Sequence, residues 1–233
     1  RGLDPMETYL AVVGDLHRSG TVVLAASPAL KRDFGIKTGH RLYQIPRHPA
    51  IHIVPARMGY YLHQSVLITR LLNQFVPAEA IHPYSIDESW VCADGTEALY
   101  GDIWKLAEQI RRAIRDSTGL PACIGIGPNK FLAKVALDIE GKKQGIAACR
   151  YEDVPHKLWP LPVQEIWGIG SRLASRLLRM GIRTVGQLAH TPLETLEKKF
   201  GLMGNQLYYH AWGVDLSPVI LKEQDDLPIK SVG

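Results

Sequence analysis

The sequence holds little that would staple, anchor or chelate. It has three cysteines, Cys92, Cys123 and Cys149, far apart and with no Cys-x-x-Cys pair. That argues against a thiolate zinc site and against a thioredoxin-like motif. An odd count among apolar neighbours suits buried thiols in a reducing cytoplasm. Apolar runs are short. TVVLAA and VLITRLL have the length of a strand or core helix, well under the roughly 20 residues a membrane helix needs, and no signal peptide is visible. No segment is low in complexity. The chain starts at Arg1 without a Met and ends on KSVG, which leads us to expect a piece of something longer.

What is present is an ordinary globular composition. The chain has 233 residues, 46% hydrophobic and 21% charged, enough for one large core or two smaller ones. The net charge of +4 permits a polyanionic partner without demanding one.

YLAVVG (9–14) and TVVLAA (21–26) read as strands joined by a polar turn, and IHIVP (51–55) as another. PALKRDFGI (28–36) opens on Pro and stops at Gly35, a short helix. Apolar residues recur at helical spacing from Arg57 to Phe75. Residues 97–117 read as one amphipathic helix with Leu99, Ile103, Leu106, Ile110 and Ile114 inward. PACIGIG (121–127) and GIAAC (145–149) read as strands around a helix over 129–140. This order predicts α+β. YEDVPHKLWPLP, with three prolines in twelve residues, reads as a linker. Only helices follow, over about 171–180, 184–189, 193–200 and 203–212.

Three motifs carry chemistry. The first is YSIDESW, with Asp87 beside Glu88. In a regular strand one of the two would face the core, at a cost of several kcal/mol unless paired or bound to a cation. A bend could bring both to one side, where a divalent cation would remove their repulsion; oxygen-only donors select Mg²⁺ or Mn²⁺ over zinc. Alone, the pair favours the plainer alternative, an exposed turn with Glu88 solvated.

The second is IGIGPNKFLAKVALD (124–138). A strand runs into Gly125 and Gly127, and a helix opens with Lys130 in its first turn and Lys134 one turn on. The free N–H groups of a helix start favour phosphate. A Walker loop is absent. A capped helix with two solvated lysines stands equally open.

The third is VQEIWGIGSRLASRLLRMGI (163–182), a helix-hairpin-helix pattern. Gly168 and Gly170 would let a DNA backbone approach, Ser171 opens the helix, and Arg172, Arg176 and Arg179 follow at helical spacing. A tight turn with glycines saving space is the alternative, and Gly-x-Gly together with the basic stripe favours DNA. For FGLMGNQLYY (200–209), packing is the better reading.

YSIDE, GIGPNKFLAK and LPVQEIWGIGSRLASRLLRMGIRTVGQLA together resemble the Y-family translesion DNA polymerases, the DinB/UmuC group and its UmuC-like branch, over nearly the whole chain. The resemblance implies a ferredoxin-like palm with small fingers, then an all-α thumb. Residues 1–80 would be partial palm and fingers, 81–155 the palm with its carboxylates, 156–222 the thumb, and 223–233 the start of a linker to a little-finger domain. It implies template-directed, low-fidelity synthesis past DNA damage in the cytoplasm. Asp87 and Glu88 would be catalytic ligands of two Mg²⁺ ions, with Mn²⁺ as a substitute. Arg32 and Lys130 would contact the triphosphate, and Gly168, Gly170, Ser171, Arg172 and Arg176 the DNA. The partners implied are primer–template DNA and deoxynucleoside triphosphates, with a sliding clamp met through regions outside this segment and no membrane.

There are departures from the pattern. Many relatives carry a tyrosine three residues before the fingers arginine, where this chain has Ala29. Small side chains at Ala25, Ala26 and Ser27 would suit an open nucleotide pocket. The family's first motif, an Asp with an aromatic that blocks ribonucleotides, would lie just before Arg1; Asp4 and Asp15 do not occupy it. The segment as given is therefore expected to be inactive or nearly so. One rival is a family member serving as a non-catalytic DNA-damage adaptor. A palm-like nucleotide cyclase is another, and the helix-hairpin-helix counts against it.

Overall fold

The structure is a computed structural model and describes residues 2–219. The chain divides into two compact units, Arg1–His63 and Gln64–Gly233. The segment expected to start a linker, 223–233, lies outside the described residues.

In the first unit, β1 (Leu10–Val13) lies between β2 (Val23–Ala26), antiparallel, and β3 (His52–Pro55), parallel. Strand alternation buries Ala11 and Val13 completely. α1 (Pro28–Phe34) begins where the sequence signals it. Ser27 Oγ accepts from Leu30 N at 3.2 Å and from Leu10 N at 3.1 Å, capping the helix and pinning it to β1. Gly35, at φ 68°, ends it. Leu30, Ile36 and Ile45 complete a small core.

α2 (Met58–Leu72) leads into the second unit. There β4 (Ile81–Pro83) and β5 (Ser89–Val91) form an antiparallel hairpin. The single helix expected over 97–117 is two: α3 (Glu97–Tyr100) and α4 (Ile103–Thr118). Gly101, at φ 85°, breaks the run, and Asp102 caps α4 by accepting from Lys105 N at 2.9 Å. The break turns two expected core residues outward: Leu99 is 76% exposed and Ile103 36%, whereas Leu106, Ile110 and Ile114 are buried.

β6 (Ile124–Ile126) and β7 (Ile146–Ala148) pair in parallel around α5 (Lys130–Ala136), a π-helical turn (Leu137–Gly141) and α6 (Lys142–Gln144). A Cβ on Gly125 would overlap the Ala133 carbonyl oxygen, and one on Gly127 the Ala133 backbone nitrogen. These glycines let α5 lie directly on β6.

The expected linker is packed. Tyr151–Asp153 and Val154–Leu158 form helical turns, Leu158 and Val163 are fully buried, and Trp159 Nε1 donates to the Ala211 carbonyl at 2.9 Å. They join the core of α7 (Ser171–Arg179), α8 (Val185–Ala189), α9 (Leu193–Phe200) and α10 (Leu202–Ala211). At Gly204 a Cβ would overlap the Leu196 carbonyl, so glycine brings α9 and α10 together.

The cysteines are unlike one another. Cys149 is buried, and burial pushes its thiol up to about 11, but Cys92 is half-buried and Cys123 exposed. The expectation of three buried thiols therefore holds at one position.

Candidate active site and nucleic-acid interface

Asp87 and Glu88 do not lie within a strand. They close the loop joining β4 to β5, where the backbone bends through residues 85–87. The Glu88 carbonyl accepts from Tyr84 N at 2.9 Å and Ser85 N at 3.1 Å, which fixes the bend. No carboxylate is therefore forced into the core by strand alternation. Asp87 is exposed, and its Oδ1 accepts from Ser85 Oγ at 2.9 Å. Glu88 is about one-third exposed and accepts a hydrogen bond from Lys134 of α5.

Lys134 is buried and also lies 3.6 Å from Asp138 Oδ1, which Lys142 holds at 2.7 Å. That hydrogen bond to Asp138 raises the Lys142 pKa above its ordinary value against partial burial. Asp87–Glu88 and the lysine helix thus meet through Lys134 rather than Lys130. Lys130 Nζ donates to the Pro218 carbonyl at 2.9 Å. Asn129 Oδ1 caps α5 by accepting from Leu132 N at 2.9 Å. Lys134, which the sequence offered as a second surface lysine, is the residue that sequence reasoning missed.

Arg32 belongs to the first unit. Its guanidinium grips Asp33 with two bonds of 2.7 and 3.0 Å, and Tyr9 donates to the same carboxylate at 3.0 Å. Those hydrogen bonds, from Arg32 first and then Tyr9, hold the Asp33 pKa below the usual range, and the Asp33 bond raises that of Arg32.

Among the described residues no group of three or more His, Cys, Asp or Glu assembles. The donors Asp87 and Glu88 bring are carboxylate oxygens, which fit a hard cation such as Mg²⁺ or Mn²⁺ as part of its shell.

The glycine hairpin precedes α7. Gly168 has φ 88°, and Gly170 stands at the helix N-cap in extended conformation with no side-chain cap. A Cβ at either would meet nothing within 4 Å, so the hairpin is open for a polymer backbone to approach. Ser171 and Arg172 are exposed at the helix start. Arg176 is engaged elsewhere: it donates to the Lys199 carbonyl at 2.6 Å and lies over the Phe200 ring at 4.5 Å. Trp167, next to Gly168, completes an aromatic triad with Tyr84 and Trp90, ring centroids 5.8–6.1 Å apart. The acidic hairpin and the glycine hairpin therefore touch.

Residues 1–138 match the impB/mucB/samB family, and residues 151–182 match the HHH motif of the IMS family. The chain belongs to the impB/mucB/samB family, the Y-family polymerase group. It is 55% identical over 221 residues to the putative UV-damage repair protein UvrX of Bacillus subtilis (strain 168), covering 94% of this chain and 52% of that protein. It is 39% identical over 214 residues to DNA polymerase IV of Moorella thermoacetica, covering 91% and 52%. A solved Y-family DNA polymerase chimera, Dbh-Dpo4(243-245)-Dbh, superposes with a TM-score of 0.77 at 27% identity, over 92% of this chain and 63% of that one. The chain thus spans about half the length of the curated relatives it matches. As a member of this family it has the mixed α+β region and helix-hairpin-helix expected of a palm, fingers and thumb. No helix among the described residues is long and apolar enough to cross a membrane.

Proposed function

We propose that this chain is the polymerase core of a translesion enzyme. Residues 1–80 supply palm and fingers, 81–155 the carboxylate-bearing palm, and 156–222 the thumb. The observation that carries this reading is the placement, in one unit, of an acidic hairpin against α5 and against an uncapped, unobstructed glycine hairpin.

In this reading Asp87 and Glu88 hold divalent cations at the end of β4–β5. Divalent ions held there by Asp87 and Glu88 would supply activation of the primer 3′-hydroxyl and neutralisation of the departing pyrophosphate's charge. The chain's own residues do the rest. Arg32 presents a planar guanidinium, and Lys130 a point charge, to the triphosphate of the incoming deoxynucleotide. Each would exchange its present partner, Asp33 or the Pro218 carbonyl, for phosphate oxygens. The backbone N–H groups at Gly168, Gly170 and Ser171 bind a DNA phosphate without reading sequence, and Arg172 adds charge beside them. Arg176 supports this surface through α9 as well as by its charge.

Primer extension by the full-length protein, with Mg²⁺ and deoxynucleotides on damaged and undamaged templates, tests this. Asp87→Ala and Glu88→Gln should each abolish extension and leave duplex affinity within about twofold. Extension that survives either change ends the metal assignment. A second reading, a non-catalytic adaptor that binds DNA, is favoured by the occupation of Glu88 by Lys134; DNA binding without extension in the wild type would select it.

A further inference from the structure

Lys134 is buried, its charged side chain 9% exposed. A desolvated ammonium is costly unless it is paired, and Lys134 has two acceptors within reach. It bonds Glu88 and stands 3.6 Å from Asp138, one turn ahead on its own helical segment. Lys142 holds Asp138 in place from the next turn. Two ammoniums and two carboxylates therefore alternate in a charge-balanced row. A shift of the Lys134 ammonium by about 1 Å would bring Asp138 to ordinary hydrogen-bond distance. Asp87 has no share in this row; its bond is to the Ser85 hydroxyl.

We propose that Lys134 is a positioning residue: a resident counter-ion that holds Glu88 and passes to Asp138 when a divalent cation takes the Glu88 carboxylate. This rests on the metal role proposed for Asp87 and Glu88. A dication attracts the carboxylate more strongly than an ammonium does and repels Lys134 at short range. Asp138, already beside it, receives the displaced charge without returning it to water. Metal binding is then opposed by the Glu88–Lys134 bond and assisted by Asp138.

Mn²⁺ titration of the full-length protein, following the free ion by electron paramagnetic resonance, reads both effects. Asp87→Ala and Glu88→Ala define the site. Lys134→Met should tighten Mn²⁺ binding about tenfold, which is about 1.4 kcal/mol. Structural damage would not tighten it, and Lys134→Gln serves if the methionine variant folds poorly by circular dichroism. Asp138→Asn should weaken binding severalfold in the wild type and by less than about twofold on the Lys134→Met background, because its effect runs through Lys134. Unchanged or weaker binding in both Lys134 variants overturns the proposal, as does an Asp138→Asn effect independent of Lys134. Either result, with binding that still needs Asp87 and Glu88, leaves the metal assignment standing. No saturable site, or one indifferent to both carboxylates, ends the metal assignment and this proposal with it.

Discussion

Replacing Asp87 and Glu88 in turn should separate two neighbours that the sequence presents as equals. Glu88→Ala removes the hydrogen-bonded partner of a lysine that is 9% exposed. Breaking a buried ion pair from one side costs about 3–5 kcal/mol. Two features reduce this: Glu88 is about one-third exposed, which screens the pair, and Asp138 at 3.6 Å can accept the stranded ammonium. About 2 kcal/mol is the expected loss. Asp87→Ala removes an exposed carboxylate bonded to one hydroxyl and should stay within about 0.5 kcal/mol of wild type. Urea unfolding followed by tryptophan emission is the assay, because all five tryptophans (90, 104, 159, 167 and 212) lie in the second unit and report on it alone. The midpoint should fall in Glu88→Ala with unchanged slope, and the thermal midpoint by about 4–8 °C. Equal stability of the two variants, or a larger loss in Asp87→Ala, would refute the unequal burial on which the site description rests.

Other outcomes follow from the same geometry. Gly170→Val adds a side chain where nothing lies within 4 Å and φ is −74°, so it should fold normally yet screen the hairpin N–H groups, weakening duplex affinity about tenfold as judged by fluorescence anisotropy. Gly168 is a poorer probe, since φ 88° strains any replacement. Gly125→Ala should destabilise the second unit by about 3 kcal/mol in the same urea assay, because its methyl group meets the backbone of α5 at the Ala133 carbonyl and that of the π-helical turn after it at Leu137 N, 2.7 Å away. Burial lowers the pKa of His210, which stacks on Phe131 at 4.3 Å, with Asp215 opposing the shift. The unfolded chain therefore takes up that proton first as pH falls. Stability due to this group should be full above about pH 6.5 and be lost through the window below it, and His210→Gln should flatten that part of a thermal-midpoint profile.

Much of the local structure could be read along the chain. Ser27, Pro28 and Gly35 delimit α1 as the sequence signals, and alternation marks β1. The break before α4 was legible too, since Gly101-Asp102 is a helix stop followed by a cap, but apolar periodicity masked it and misplaced Leu99 and Ile103. The proline-rich stretch 151–162 looked like a linker because composition does not reveal that Leu158 and its neighbour Val163 fill a core built by later helices. Gly125 and Gly127 suit either a ligand or a helix pressed close, and only the position of Ala133 decides between them. Lys134 was beyond reach for a different reason. Its partner Glu88 lies 46 residues away, and a lysine one turn after Lys130 carries no mark of being buried.

The ring contacts of Tyr84, Trp90 and Trp167 give the second unit a stiff mechanical joint. The two pairs that Trp167 makes join the loops, and each aromatic pair contributes about 0.5–1.5 kcal/mol beyond its burial, so prising the loops apart would cost about 1–3 kcal/mol. A push delivered at Gly168 would then travel straight to the segment bearing the acids, with no helix between to absorb it. Under the proposed function, gripping a duplex and setting the carboxylates would become a single motion of one lever.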